Sequence, residues 1–230
     1  MTLGKLAGAA LAAALVVRVV RSRHQRFMHP DGRSFSGELE VFGSGNRRDV
    51  TVRLSKGVGT REGRADVRGL AVRVHLPGRD LDLLLSTVGR GPIGRHLPVP
   101  RRSFATEYGS VTAYRDGGGD KLYLAARPDP GGPGFGRTLA SVPDGGRFLI
   151  IVRRKGIGRP AGRVTLGPEL SPDADEALAY DPIRNSLPAL HPTGLIHGVR
   201  AFAYRASQRW RGATPADPNP AAVARTSAHR

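Results

Sequence analysis

The segment at residues 199–212 reads VRAFAYRASQRWRG, with no proline and glycine only at its end. With about 3.6 residues per turn, a helix would place Arg200, Tyr204, Gln208 and Arg211 on one cationic face. A guanidinium one turn before a phenol favours the phenolate and lowers the tyrosine pKa from its usual value of about 10. This face is either an ordinary solvated basic surface or a site for an anion or for a hard metal ion such as ferric iron.

Two segments near the amino terminus also carry side chains that could handle protons or anions. His29 lies in RFMHPDGRSFSGELEV, residues 26–41, three positions after Arg26 and just before a predicted strand. The next predicted strand contains Arg53 and Ser55. A histidine in such a position is, on its own, typically a turn or surface residue. The order of these segments along the chain is therefore more informative than any one of them.

These side chains need a scaffold, and most of the chain is typical of β-strands. Short runs that alternate apolar with polar residues recur between turns rich in glycine, proline and aspartate. The predicted strands are SFSGELEVFG, VTVRLS, LAVRVHL, DLDLLLSTV, KLYLAARP, RFLIIVRR and GRVTLG. They predict an α+β, mainly β fold whose antiparallel sheet is closed or sandwiched.

Few helices are expected. The candidates are the apolar amino-terminal run, the segment SPDADEALAY with Ser171 or Asp173 as its N-cap, and residues 195–211. The stretch RPDPGGPGFG, residues 127–136, is rich in proline and glycine and predicts a loop.

Composition limits the classes of function. The chain has 230 residues, 39% of them hydrophobic, which is enough for a real core. It has no cysteine, which excludes disulfides, thiolate metal sites and cysteine nucleophiles. Lysine and arginine together number 36 against 19 acidic residues, a formal charge of +17, which favours anionic partners. Nucleic acid is disfavoured as a partner, because the charges are scattered and aromatic residues are few.

Four segments, in their order along the chain, resemble the haem catalase superfamily, and in particular its short, catalase-related peroxidase forms. The matching residues are Arg26, His29, Gly32, Gly37, Glu40 and Val41 in the distal segment, Arg53 and Ser55 in the second strand, Arg68, Gly69, Leu70, Ala71 and Val72 in the third, and Arg200, Phe202, Tyr204 and Arg211 in the proximal helix. The resemblance covers about residues 26–212 and implies a catalase-like antiparallel β-barrel with a proximal C-terminal helix.

The resemblance also implies a haem b cofactor. Tyr204 would be the axial ligand of the iron, a known haem ligation mode, and Arg200 would keep its phenolate ionised. Arg26, Arg53 and Arg211 would bind the haem propionates, since guanidinium groups suit carboxylates.

On the peroxide side of the haem, the resemblance implies that His29 takes a proton from peroxide and returns it to the leaving oxygen, with Ser55 and Thr87 as the other catalytic residues. Catalases have an asparagine on the strand that here reads DLLLSTV, where this chain has Ser86 or Thr87. The aspartate that normally follows the axial tyrosine is replaced by Ala206, and the chain is shorter than a typical catalase subunit. These departures favour a haem-dependent peroxidase or catalase-like enzyme that reduces hydrogen peroxide or organic hydroperoxides with a small organic donor.

The amino-terminal run LAGAALAAALVV, residues 6–17, is short for a membrane span, and it could be an uncleaved anchor, a docked helix or a cleaved signal. The predicted organisation is an apolar helix or anchor at 1–22, a haem barrel domain at 23–212 and a disordered tail at 213–230. The predicted location is cytoplasmic or membrane-associated. A membrane contact through residues 6–20 and a homo-oligomer stay open.

Two other classes of function also stay open. One is a barrel that binds haem or another hydrophobic ligand without catalysis. The other is a haem-free enzyme in which clustered arginines bind phosphoesters or acidic lipids. The histidines show no paired spacing with carboxylates of the kind that metal-dependent hydrolases need.

Overall fold

Ten strands supply most of the regular structure in this computed structural model, which describes residue 29 and residues 31–193. The strands are β1 (Asp31–Val41), β2 (Arg47–Lys56), β3 (Arg68–Leu76), β4 (Arg79–Ser86), β5 (Tyr108–Gly109), β6 (Ala113–Asp116), β7 (Lys121–Pro128), β8 (Arg147–Arg154), β9 (Ile157–Glu169) and β10 (Leu190–Thr193). Two short α-helices, α1 (Gly91–Gly94) and α2 (Pro172–Ala177), and one 3₁₀ turn (Leu139–Ser141) occur between them.

Eight of these strands close into an antiparallel barrel. Their order is β7-β5-β4-β3-β2-β1-β9-β8, and a direct pairing of β7 with β8 joins the two ends of the sheet. The short strands β6 and β10 extend the sheet from β7. Closure removes the unpaired edges that an open sheet of this length would expose.

The side-chain alternation of β2 shows how the barrel sorts its residues. Val50, Val52 and Leu54 are buried in the core, where they lie opposite apolar residues of β3. Arg53 lies between Val52 and Leu54, and Ser55 follows Leu54. Both therefore point to the outer face, because successive strand residues face opposite sides. Each large apolar side chain buried in the barrel contributes about 1.5–3 kcal/mol of stability.

The outer face of β1 to β4 is covered by the chain that follows β9. Helix α2 begins after its N-cap Ser171, whose hydroxyl accepts a hydrogen bond from Ala174 N at 3.2 Å. The extended segment after this helix continues over the sheet, where Asn185 donates from its side-chain amide to Asp82 at 2.9 Å. A polar outer face that would otherwise meet solvent is in this way partly buried.

The structure confirms the mainly β fold, the seven predicted strands and the helix capped by Ser171. It adds β5, β6 and β10, which are too short to show an alternation pattern in the sequence. The predicted amino-terminal helix, the predicted helix at 195–211 and the predicted tail lie outside the described residues, so the domain boundaries stay predictions. In the part of the chain that the structure describes, no helix is long and apolar enough to cross a membrane.

Candidate functional site

His29 lies immediately before β1 in a backbone conformation that is uncommon for a residue with a side chain. Its φ is 61°, in the left-handed region, and its N–H donates to Gly57 O at 3.2 Å. Non-glycine residues in this region cost free energy and occur often at functional sites, with histidine among the more tolerant residue types. The turn places the half-buried imidazole against the outer face of the sheet.

The imidazole is oriented by a hydroxyl and a glycine. Ser55 Oγ lies 2.8 Å from His29 Nδ1. A Cβ built on Gly69 would lie 2.5 Å from both Cε1 and Nδ1 of the His29 ring and 2.6 Å from Ser55 Oγ. Because such contacts are shorter than atoms tolerate, only glycine at position 69 lets the ring rest on β3.

The floor beneath the ring is a row of small residues. In the register of the sheet, Gly32 is opposite Ser55, Ser55 is opposite Gly69, and Gly69 is opposite Ser86. Directly opposed residues share one face of a sheet, so all four belong to the His29 side. This row leaves room on the sheet for two larger groups, the Arg53 guanidinium over Gly32 and the His29 ring over Gly69.

Ser86 and Thr87 lie on opposite faces of the sheet. Ser86 belongs to the row beneath His29, and its hydroxyl donates to Arg68 O at 3.3 Å. Thr87 is buried, and its hydroxyl accepts from Arg68 N at 3.0 Å and donates to Val99 O at 2.7 Å. The Thr87 hydroxyl therefore ties main-chain segments together, and of the two hydroxyls it is Ser86 that shares the face with His29.

Arg53 lies two residues before Ser55 on β2 and therefore on the same face of the sheet. It is buried, with 4% of its surface exposed. Its Nε donates to the Asp175 carboxylate of helix α2 at 2.9 Å, and its Nη1 donates to His29 O at 3.1 Å. Gly32 leaves room for the guanidinium, since a Cβ there would lie 2.4 Å from Arg53 Cζ. Arg53 thus supports the His29 turn and holds a carboxylate at the same time.

Solved structures of catalases share this architecture. A fungal catalase matches 86% of the chain with a TM-score of 0.63 and 15% sequence identity. Catalase A from Saccharomyces cerevisiae matches 87% of it with a TM-score of 0.62 and 16% identity. The chain has a catalase-like fold. It spans 61% and 64% of the lengths of those two proteins, and no family model and no curated protein matches its sequence.

Four predicted site residues of this catalase-like fold, Arg26, Arg200, Tyr204 and Arg211, lie outside the described residues. The structure places His29, Arg53 and Ser55 together, whereas Thr87 bonds with other segments. Within residues 29 and 31–193, no group of three or more histidine, aspartate or glutamate side chains is arranged to hold a metal ion.

Asp175 is a site residue that the sequence alone did not indicate. It lies on α2, far along the chain from Arg53, and it also accepts a hydrogen bond from the Ser34 hydroxyl. In the sequence it is only an acidic residue in the first turn of a helix, a position where carboxylates are common, so nothing distinguishes it. Only the fold shows that the carboxylate reaches a buried arginine.

A second polar network lies further down the same face of the catalase-like barrel. Arg73 forms an ion pair with Asp82 at 2.8 Å, and His75 lies between Asp80 at 3.0 Å and the Thr51 hydroxyl at 2.9 Å. Burial alone would raise the pKa of Asp80, but the hydrogen bond from His75 and the charge of Arg73 outweigh it and lower that pKa. This network stabilises the covering segment, because Arg73 also donates to the main chain at residue 179.

Arg68 fixes the end of the barrel next to the site. It is fully buried and donates to the carbonyl oxygens of residues 64, 101, 102 and 137 at 3.0–3.2 Å. Its Cζ lies 4.5 Å from the ring centroid of Phe104, a favourable position for a cation. Nη1 is the one buried side-chain atom within the described residues that has no hydrogen-bond partner.

Proposed function

We propose that this protein is a haem-dependent peroxidase or catalase-like enzyme that reduces hydrogen peroxide or organic hydroperoxides. The observation that carries the proposal is the His29–Ser55 pair, held in a left-handed turn over a floor of small residues in a catalase-like fold. An imidazole oriented in this way is suited to move a proton between two oxygens of the same substrate.

The proton transfer follows from the contacts of the ring. Ser55 engages Nδ1, which fixes the ring orientation, so Nε2 is the nitrogen that would exchange protons with peroxide. His29 would accept a proton from the peroxide oxygen nearest to it and return that proton to the leaving oxygen, which departs as water or as an alcohol. Ser86, on the same face, now donates its one hydroxyl proton to Arg68 O, and it would turn from that carbonyl to donate to bound peroxide in place of an amide.

The described residues fit one side of a haem. The row of Gly32, Ser55, Gly69 and Ser86 seats the Arg53 guanidinium and the His29 ring, and these two side chains would face a planar group. Arg53 now binds the Asp175 carboxylate and would exchange it for a propionate. We propose that Arg53 binds a propionate together with Arg26 and Arg211, and that Tyr204, supported by Arg200, ligates the iron. The chemistry that bound haem supplies is storage of oxidising equivalents at iron until an organic donor reduces it.

A peroxidase is favoured over an efficient catalase. Dismutation requires a second peroxide to be held and oriented as a reductant, whereas a peroxidase needs only access for a donor. Ser86 offers one hydroxyl, and it is already directed toward Arg68 O. We therefore expect oxidation of small organic donors to be faster than oxygen release from hydrogen peroxide.

The experiment compares the full chain with its His29→Ala variant, both supplied with haem. The parent should bind haem, and donor oxidation by hydrogen peroxide or cumene hydroperoxide should fall by a factor of about 10² to 10⁴ in the variant. Haem content and the ferric spectrum should stay unchanged, because His29 is not proposed as an iron ligand.

His191→Ala is the matched control, since His191 lies on β10 in the extension of the sheet. It should retain full turnover. Failure of the parent to bind haem would overturn the proposed function. Equal turnover in the parent and His29→Ala would leave haem binding intact but remove the proposed catalytic role, and the protein would then be better described as a carrier.

A further inference from the structure

A hairpin at residues 88–98, here called the rim hairpin, follows the end of β4 and contains helix α1. Its base is closed by the Val88–Pro98 bridge and by a hydrogen bond from Gly89 N to Leu97 O at 3.1 Å. Its tip carries Ile93, 80% exposed, and its returning arm carries Leu97, 57% exposed, next to the base. Among the described residues, four large apolar side chains are exposed to this degree, and two of them lie on this hairpin. Clustered exposed apolar side chains mark an interaction surface more often than single ones do.

The same hairpin is surrounded by positive charge. Arg90, Arg95, Arg101 and Arg102 lie on it or directly after it, and the sequence has no acidic residue between positions 82 and 107. Within residues 31–193, none of these four arginines forms an ion pair. The surface is therefore apolar at its tip and cationic around it.

The rim hairpin is at the His29 end of the barrel. β4 ends at Ser86, opposite Gly69, which the His29 ring contacts. Val58, 50% exposed, follows Gly57 at this same end. Ile157, 65% exposed, is at the other end, because β9 begins there and runs antiparallel to β1. The apolar and basic hairpin thus borders the candidate site.

We propose that the rim hairpin docks on the surface of an anionic lipid bilayer, with Ile93 and Leu97 inserted among the acyl chains near the headgroups. Apolar side chains flanked by arginines without ion pairs suit such a surface, since burial of apolar area and attraction to anionic headgroups add together. A second copy of this chain is a poorer occupant, because its charge of +17 would bring like charges together. Single-stranded nucleic acid is poorer too, because residues 88–98 contain no phenylalanine, tyrosine or tryptophan on which bases could stack.

This docking does not depend on haem or on peroxide chemistry, so it can be tested separately. Trp210→Phe removes the one natural tryptophan of the full chain. In that background, Ile93→Trp places a single tryptophan at the tip of the rim hairpin. The matched control, Ile157→Trp, places it at the far end of the barrel. Each protein is mixed with vesicles of phosphatidylcholine alone or of phosphatidylcholine and phosphatidylserine, with brominated acyl chains as quenchers.

We expect the emission of the Ile93→Trp protein to shift to shorter wavelength and to be quenched only with the anionic vesicles, while the emission of the Ile157→Trp protein stays unchanged. Arg90→Gln and Arg102→Gln should each weaken vesicle binding about fivefold, an effect that added salt should reduce. Binding of the protein to vesicles without quenching at position 93 would overturn the proposal and assign the contact to another segment, such as residues 6–20. Absence of vesicle binding would overturn it, as would a change in emission that depends on protein concentration and not on lipid, which would indicate self-association.

Discussion

Replacing Gly69 by alanine should remove the function of the site while the barrel remains folded. The added Cβ would lie 2.5 Å from Cε1 and Nδ1 of the His29 ring, whereas ordinary contacts begin at 3.4 Å. The ring or the strand must therefore retreat by about 0.9 Å. Strand β3 is hydrogen-bonded to β2 on one side and to β4 on the other, so its backbone is fixed. His29 precedes β1 and lies outside these ladders, and Ser55 Oγ, 2.6 Å from the same Cβ, is the end of a rotatable side chain, so these two groups move.

The expected effect on stability is small. Alanine restricts the unfolded chain more than glycine does and contributes about 0.4–1 kcal/mol. Displacement of His29 loses the hydrogen bond between its ring and Ser55, worth about 0.5–1.5 kcal/mol. The two changes nearly cancel, and the free energy of unfolding should change by less than about 1 kcal/mol. A ring that could not move would instead produce an overpacked site, which costs about 1–3 kcal/mol.

The expected effect on turnover is large, because a displacement of about 1 Å can reduce a rate about 10²-fold. The measurements are urea unfolding, haem content and donor oxidation by peroxide for the parent and Gly69→Ala. Gly134→Ala is the control, since nothing lies within 4 Å of a Cβ at position 134. Combining Gly69→Ala with His29→Ala should cause no further loss beyond His29→Ala alone.

Two results would refute this reasoning. Full turnover in Gly69→Ala would mean that the ring does not rest on residue 69 during catalysis. Additive losses in the double variant would mean that Gly69 acts by another route than through His29.

Three further changes test the surroundings of the site. Arg68→Leu should lower the free energy of unfolding by about 3 kcal/mol or more, because it leaves several buried carbonyl groups unpaired, and Arg68→Lys should recover little of that loss in a urea titration. Burial alone would raise the pKa of Asp66, but hydrogen bonds from neighbouring N–H groups and a hydroxyl outweigh it and lower that pKa. The stability that this carboxylate contributes is present above pH about 4 and is lost as pH falls through the folded pKa. Asp66→Asn should therefore unfold at lower urea concentration than the parent near pH 7, and the two unfolding midpoints should become equal in acid. Asp120→Asn, a change at an exposed carboxylate, should leave the midpoint unchanged. Asp175→Asn should tighten the binding of haem, because it removes the carboxylate that now neutralises Arg53. An absorbance titration with haem measures this, and weaker binding would show that Asp175 instead orients the guanidinium.

The strands could be predicted where apolar and polar residues alternate over many positions. β2 shows apolar residues at every second position, and the structure buries those residues in the barrel. Closure of the barrel was not predictable in the same way, since it depends on a pairing between β7 and β8 that no local pattern records. The short strand β5, Tyr108–Gly109, has its place set by neighbours on both sides and not by its own sequence.

The site was predictable in part for a related reason. His29 and Ser55 carry reactive groups whose positions in the chain could be compared with a known pattern. The pairing of Arg53 with Asp175 joins residues that are distant in sequence, and a choice between Ser86 and Thr87 requires the register of β4. One residue of shift changes which face a side chain occupies, and this information lies in tertiary pairing.

The period of two in β2 ties the chemistry of the site to the quality of the core. A slip of one residue against β3 would turn Arg53 and Ser55 into the barrel and bring Leu54 out toward His29. The apolar residues of the interior therefore also fix which residues occupy the outer face, because a slip of one residue would bury the Arg53 guanidinium in the apolar core. Molecules with a well-packed barrel therefore also share one arrangement of the site. Substitutions that weaken the core should first produce a mixture of active and inactive molecules.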